Sequence, residues 1–245
     1  MACAILNLFY GEKAEMKIIL CGGDLPLCYR EKLGRYADRV EVMPQNGDIK
    51  GSTSSHPDML GYAYQGELFV AGKYYYKNRD FFDSLGCRIT LCSAEYGDYP
   101  RDIYFNVFAI SGVLFGRTDQ TPAQISAKYT KCVKVKQGYA KCSSVPLGDG
   151  VVTADSGIAR AVSENGGESL LISPGNITLR GYEYGFIGGA VAVPGERVIM
   201  PFGDLDTHPD AKRIREFSAY KGYTVDNGKP GAPLCDCGGI LVLEV

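Results

Sequence analysis

The chain has 245 residues, of which 45% are hydrophobic and 22% charged, with a formal net charge of −2. That is enough apolar sequence to bury a large core and too much for a disordered chain. The near-neutral charge and the absence of sustained Lys/Arg runs argue against a nucleic-acid-binding surface or an anionic membrane face. The longest apolar runs, 107–115 and 185–193, fall far below the ~18 residues that a spanning helix needs.

The opening MACAILNLF lacks a basic n-region and a small-residue cleavage site, so it does not read as a signal peptide. Met16 begins MKIILCGGDLP, a natural first strand. Residues 1–15 therefore read as a possible N-terminal extension, with translation from Met1 or Met16 left open, and 16–245 as a single domain. The nine cysteines match neither a disulfide scaffold nor a CxxC zinc site. They suit a reduced, cytoplasmic protein that uses Cys as a small hydrophobe.

Strand-like and helix-like segments then alternate along the chain, the pattern of an α/β protein. Residues 17–23 predict a strand, 25–37 a helix and 39–44 a strand; 60–72 predict a hairpin, 78–86 a short helix and 87–92 a strand. The order recurs as strand, turn and strand over 102–117, a helix over 121–129 and a strand over 130–137. It returns as strand 150–156, helix 156–166 and strand 168–173, and again as 186–204, helix 208–222 and strand 223–227. A hairpin, helix and strand that recur about every 45 residues form a repeat. Roughly five units fit if the apolar C-terminal strand, ILVLEV, completes the unit that MKIILCGG begins. A closed ring accommodates five such units, removes sheet edges and explains an apolar C-terminal strand.

The segments QGYAKCS, ITLRGYEYGFIGGAVAV, FGDLDTHPDAKRI and DCGGILVL, in this order, resemble an uncharacterised bacterial family of the pentein superfamily. That is the guanidine-modifying-enzyme fold of arginine deiminase, agmatine deiminase and dimethylarginine dimethylaminohydrolase. The resemblance runs over nearly the whole chain from Met16 and implies a five-bladed pseudo-symmetric α/β-propeller. In its enzymes a Cys just after a C-terminal Gly-Gly attacks the guanidinium carbon, a His on an earlier blade serves as acid and base, and acidic residues hold the cation. Here the position expected for that Cys is Val242, after Gly238 and Gly239, and the expected Gly-His reads Gly185-Phe186.

Cys237 and Cys235 are the substitute candidates for a nucleophile; they share one side of an extended segment, and buried structural thiols are the alternative. The resemblance makes Asp58 a candidate ligand contact, with His56 beside it; a Pro-Asp turn is the alternative. In HPDAKRI, by contrast, Pro209 and Asp210 suit the start of a helix. Asp102 and Asn106 fall on one face of a predicted strand, and Asp155 suits a helix cap. Lys141 and Cys142 are candidate cavity residues, although adjacent strand residues point to opposite faces. Tyr184, with Tyr182, is placed to stack on a flat ligand, and Asp236, between the two thiols, is a candidate pocket acid.

If the strand mouths converge, Asp58, Asp102 and Asp236 bring carboxylates to one cavity, which suits a cationic, guanidino-like small molecule. The leading reading is a binding protein without the usual Cys and His. The alternatives are a hydrolase or amidinotransferase using Cys237 or Cys235, and a non-enzymatic interaction protein. There is no GxxxxGK loop, no dinucleotide fingerprint after the first strand and no convincing His-based metal site, so no cofactor or metal is implied. The sequence leaves the oligomeric state open.

Overall fold

A computed structural model describes residues 16–195 and 197–245; the expected extension, 1–15, lies outside them. The first unit is β1 (Lys17–Cys21), α1 (Leu27–Leu33) and β2 (Arg39–Val42). A helical turn, α2 (Pro57–Leu60), leads into β3 (Gly61–Tyr64), β4 (Glu67–Ala71), α3 (Gly72–Lys77), α4 (Arg79–Ser84) and β5 (Arg88–Cys92). Next come β6 (Phe108–Ile110), β7 (Val113–Gly116), α5 (Ala123–Ser126) and β8 (Lys131–Lys134). They are followed by β9 (Ser144–Leu147), β10 (Gly150–Thr153), α6 (Ser156–Glu164), β11 (Glu168–Leu171) and β12 (Ile177–Thr178). The chain ends with α7 (Ile187–Ala190), β13 (Val191–Gly195), β14 (Val198–Pro201), α8 (Ala211–Tyr220), β15 (Thr224–Val225), β16 (Leu234–Cys235) and β17 (Ile240–Glu244).

These strands form five three-stranded sheets, β17-β1-β2, β3-β4-β5, β6-β7-β8, β9-β10-β11 and β13-β14-β15, and β12 pairs with β16 in a small two-stranded sheet. Each three-stranded sheet joins an antiparallel pair to a parallel third strand. The parallel step needs a crossover, which the helices supply. The C-terminal strand pairs with β1 from Lys17 with Glu244 to Cys21 with Ile240, so the ends of the chain complete one sheet. Neighbouring sheets meet along their first strands: β17 lies beside β3 and β13, and β9 beside β6 and β13.

Three local readings change. The fourth unit has a first strand, β9, that the pattern missed because Ser144 and Pro146 dilute it; Pro146 is tolerated there because β9 bonds to only one neighbour, β10. His56-Pro57-Asp58 opens a helical turn before its strand, with Pro57 at the first helical position. Asp102 and Asn106 precede β6 in a turn, where the Asn106 amide donates to Ile103 O, so they are not partners on a strand face.

Two expected helix starts diverge. Asp155 caps α6, its carboxylate accepting from the Ile158 amide. Asp210 stands at the N-terminus of α8 without a side-chain cap; its carboxylate instead accepts from the Ser173 amide and Arg213. Among the described residues, no helix is long and apolar enough to cross a membrane.

β17 fastens the first unit to the second through Leu241 and Leu243, which pack in one core with Leu20, Tyr62 and Phe69. Leu243 is fully buried, and its truncation in Leu243→Ala is expected to cost about 3 kcal/mol. Urea unfolding measures this; a loss below about 1 kcal/mol would mean that the terminal strand carries little of the fold.

Candidate functional site

The segments that enter β3, β6, β9, β13 and β17 are joined by hydrogen bonds. Asn106 connects the first three: its Nδ2 donates to Asp58 O at 3.3 Å, and its Oδ1 accepts from the amides of Lys141 at 2.8 Å and Cys142 at 3.1 Å. Cys142 O accepts from Gly188 N at 2.7 Å, and Gly189 O accepts from Cys237 N and Gly239 N, both at 3.0 Å. Asp236 then reaches back to the first segment, its Oδ1 lying 3.8 Å from His56 Nδ1.

The approach is close enough to require glycine. A Cβ on Gly188 would overlap the Lys141 and Ser144 carbonyls, and one on Gly189 the Asp236 carboxylate. Gly238 has φ +76° and lies against the His56 side chain, a conformation and a contact that no larger residue can share.

Beside this circuit lies a cavity of about 250 Å³ lined by Thr53, His56, Met59, Tyr139, Cys142, Leu179, Tyr182, Glu183, Tyr184, Phe186 and Asp236. Asp236 is buried, its Oδ2 accepting from Phe186 N at 2.8 Å and its Oδ1 from Gly238 N at 3.0 Å. His56 is 1% exposed, and neither ring nitrogen has a hydrogen-bond partner among the described residues. The rings of Tyr139 and Phe186 stack at 6.3 Å.

Behind Cys142 is Asp58, fully buried. The Cys142 thiol donates to Asp58 Oδ2 at 2.9 Å, while Asn106 Nδ2 lies 3.0 Å from the same sulfur. Asp58 Oδ1 is buried without a partner. Burial pushes the Asp58 carboxyl up to about 6, against the pull of His56 and Lys141. Burial and then the Asp58 charge hold the Cys142 thiol well above its ordinary range, so the resting group is a neutral thiol.

Of the residues singled out from the sequence, His56, Cys142, Tyr182, Tyr184 and Asp236 line this cavity, with Asp58 and Asn106 directly behind Cys142. Lys141 turns to the other side, where it lines two further cavities of about 280 and 250 Å³ with Ile240 and Pro146. Asp102 works at one remove: its Oδ2 accepts from Tyr139 OH at 2.7 Å and fixes a ring of the cavity wall. Cys235 and Cys237 are absent from the lining; Cys237 packs instead with Cys21, Leu25, Tyr29 and Phe202. Tyr139 was not singled out, although it stands two residues before Lys141. Among the described residues no three His, Cys, Asp or Glu side chains gather as metal ligands.

Asp58 makes stability depend on pH with a definite sign. Its folded-state pKa lies above the ordinary 3.8, so between about pH 4 and 6 the folded protein keeps a proton that the unfolded chain has released. Its contribution is full below that window and lost as pH rises through it. Asp58→Asn removes the effect: urea titrations should find the variant equal to the parent at pH 4 and about 2–3 kcal/mol more stable at pH 7. A difference that does not vary with pH would contradict this account.

Comparisons place the chain among known proteins. No curated protein sequence matches it. Among solved structures, it is similar to dimethylarginine dimethylaminohydrolase (DDAH) from Pseudomonas aeruginosa, a cysteine-to-serine variant complexed with citrulline. The TM-score is 0.53 at 10% identity, over 94% of this chain and 100% of that one. A dimethylarginine dimethylaminohydrolase adduct with S-methyl-L-thiocitrulline, in a histidine-to-glycine variant, gives 0.52 at 11% identity over the same shares. The likeness shows that this chain has the pentein fold. A family profile matches residues 23–241, and the chain therefore belongs to that family, described as a family of unknown function (DUF6873).

Proposed function

We propose that this protein binds a small guanidino- or amino-bearing cation in the cavity formed by His56, Cys142, Asp236 and the surrounding rings. The reading takes the five sheets as blades of a closed propeller, with the five linked segments around its axis. It also takes the protein as cytoplasmic. One observation carries the functional part: a single cavity joins a buried carboxylate, an unpartnered imidazole and four aromatic side chains, Tyr139, Tyr182, Tyr184 and Phe186. Carboxylate oxygens and ring faces both attract a flat cation. Glu183, also in the lining, adds negative charge and leaves an anionic ligand without a counter-charge in this cavity. The solved structures of the same fold that hold citrulline and an S-methyl-L-thiocitrulline adduct support a flat, guanidino-shaped head group, and the carboxylates of this cavity favour its cationic form.

A second reading, catalysis, is favoured by the short contacts of Cys142. Asp58 is placed to take the thiol proton, and the Asn106 amide to stabilise the resulting thiolate. Because the resting thiol is held neutral, ionisation requires a neighbouring positive charge, which a bound cation provides. The candidate nucleophile then becomes Cys142 in place of Cys237 or Cys235.

Calorimetric titration with arginine and agmatine, against citrulline as a neutral isostere, tests the binding. The cations are expected to bind at least about tenfold more tightly than citrulline, and Asp236→Asn to remove about tenfold of that affinity. No heat with either cation, or equal binding of citrulline, would refute the reading. In the catalytic version the same cations release ammonia or urea, and Cys142→Ser stops release while binding persists. Binding without any product leaves only the first reading standing.

A further inference from the structure

Two thiols outside the cavity flank the acid that faces it. Cys235 Sγ lies 3.7 Å from Cys237 Sγ, because side chains two apart on an extended segment share a face. Cys235 is half-buried and Cys237 is 1% exposed. The intervening Asp236 is tied on both sides: its amide donates to Thr178 O at 2.8 Å, and its carboxylate holds the amides of Phe186 and Gly238. Two glycines at φ +76° and +61° follow immediately, so the backbone after the pair can turn without a side-chain clash.

We infer that Cys235 and Cys237 are a reversible redox site, oxidised by peroxide to an intramolecular disulfide that loosens the Asp236 corner of the cavity. The Cys235 thiolate attacks one peroxide oxygen; the O–O bond breaks, hydroxide leaves, and the proton released by Cys235 converts it to water. The Cys237 sulfur then attacks the resulting sulfenic sulfur, forming the S–S bond, while the sulfenic oxygen leaves with the Cys237 proton as a second water. Two sulfurs are oxidised and both peroxide oxygens reduced, so the step balances with one peroxide. The order follows from the geometry. The Cys237 S–H donates toward Cys235 and lowers its pKa, whereas that bond and burial raise Cys237.

The consequence for the cavity is mechanical. An S–S bond is about 2.05 Å long, so the present separation of 3.7 Å must shrink by nearly half, which pinches the backbone at Asp236. The bonds that hold Phe186 and Gly238 are the ones that this movement strains. The inference touches the proposed ligand pocket only through Asp236, and its test needs no ligand.

The reduced full-length protein is treated with one equivalent of hydrogen peroxide and analysed by peptide mass spectrometry and by amide hydrogen exchange. The peptide containing residues 235–237 is expected to lose two hydrogens and recover them with dithiothreitol. In the oxidised form the amides of Phe186 and Gly238 should exchange about fivefold faster, the effect of losing one hydrogen bond. Cys237→Ser should stop at a Cys235 sulfenic acid that dimedone traps, and Cys235→Ser should give neither product. Overoxidation of Cys235 in the parent without a crosslink overturns the proposal, and so does a disulfide that leaves both amides unchanged. Failure of arginine or agmatine to bind would refute the ligand reading and leave these results as they stand.

Discussion

The hydrogen-bonded circuit through the entrances of β3, β6, β9, β13 and β17 is the constraint on which the rest of the molecule depends. A strand's ladder stops where the strand begins, and here those beginnings are buried, so their amides and carbonyls need partners from elsewhere. Backbone supplies them between Cys142, Gly188 and Gly189, and again between Gly189, Cys237 and Gly239. Where backbone does not reach, two side chains bridge: Asn106 between the second segment and its neighbours, and Asp236 across to Phe186 and Gly238. Removing either would orphan buried polar groups, which costs far more than a surface hydrogen bond returns.

The cavity is a by-product of that circuit. Bringing five chain segments together demands glycine at the tightest approaches, and glycine leaves space that side chains from the flanking positions then fill. Gly185 and Gly189 let Asp236 sit beneath Phe186, and Gly238 lets His56 lie against the C-terminal segment. The same residues that satisfy the backbone therefore set the wall of the site, which is why His56 and Asp236 are held side by side and nearly excluded from solvent.

Much of this was legible in the sequence because repetition is a strong signal. The alternation of strand and helix predicted the unit, and the apolar tail predicted that β17 would complete the first sheet. The sequence pairs Gly188-Gly189 and Gly238-Gly239, each followed by an apolar strand, also mark two entrances of the same kind. What escaped was the pairing of residues across units. The roles of Asp102 and Asn106 were inferred from strand periodicity, but both lie in a turn, where spacing does not determine direction. Tyr139 escaped because a ring earns its place in the wall only through a bond to Asp102, 37 residues earlier. Cys235 and Cys237 do share a side, as their spacing implies, yet that side faces Cys21 and Phe202 and not the cavity.

The placement of Asp58 runs against stability and so points to use. A buried acid whose second oxygen has no partner is an unfavourable core residue, and a neutral side chain of the same shape would relieve the penalty. The charge on Asp236 also raises the cost of ionising Asp58. His56 and Lys141 offset part of this but leave His56 without a hydrogen bond of its own. A cation entering beside His56, Cys142 and Asp236 would bring a compensating charge to both carboxylates. Residues held this way are stable in company and strained alone, the pattern expected where binding, rather than folding, has set the side chains.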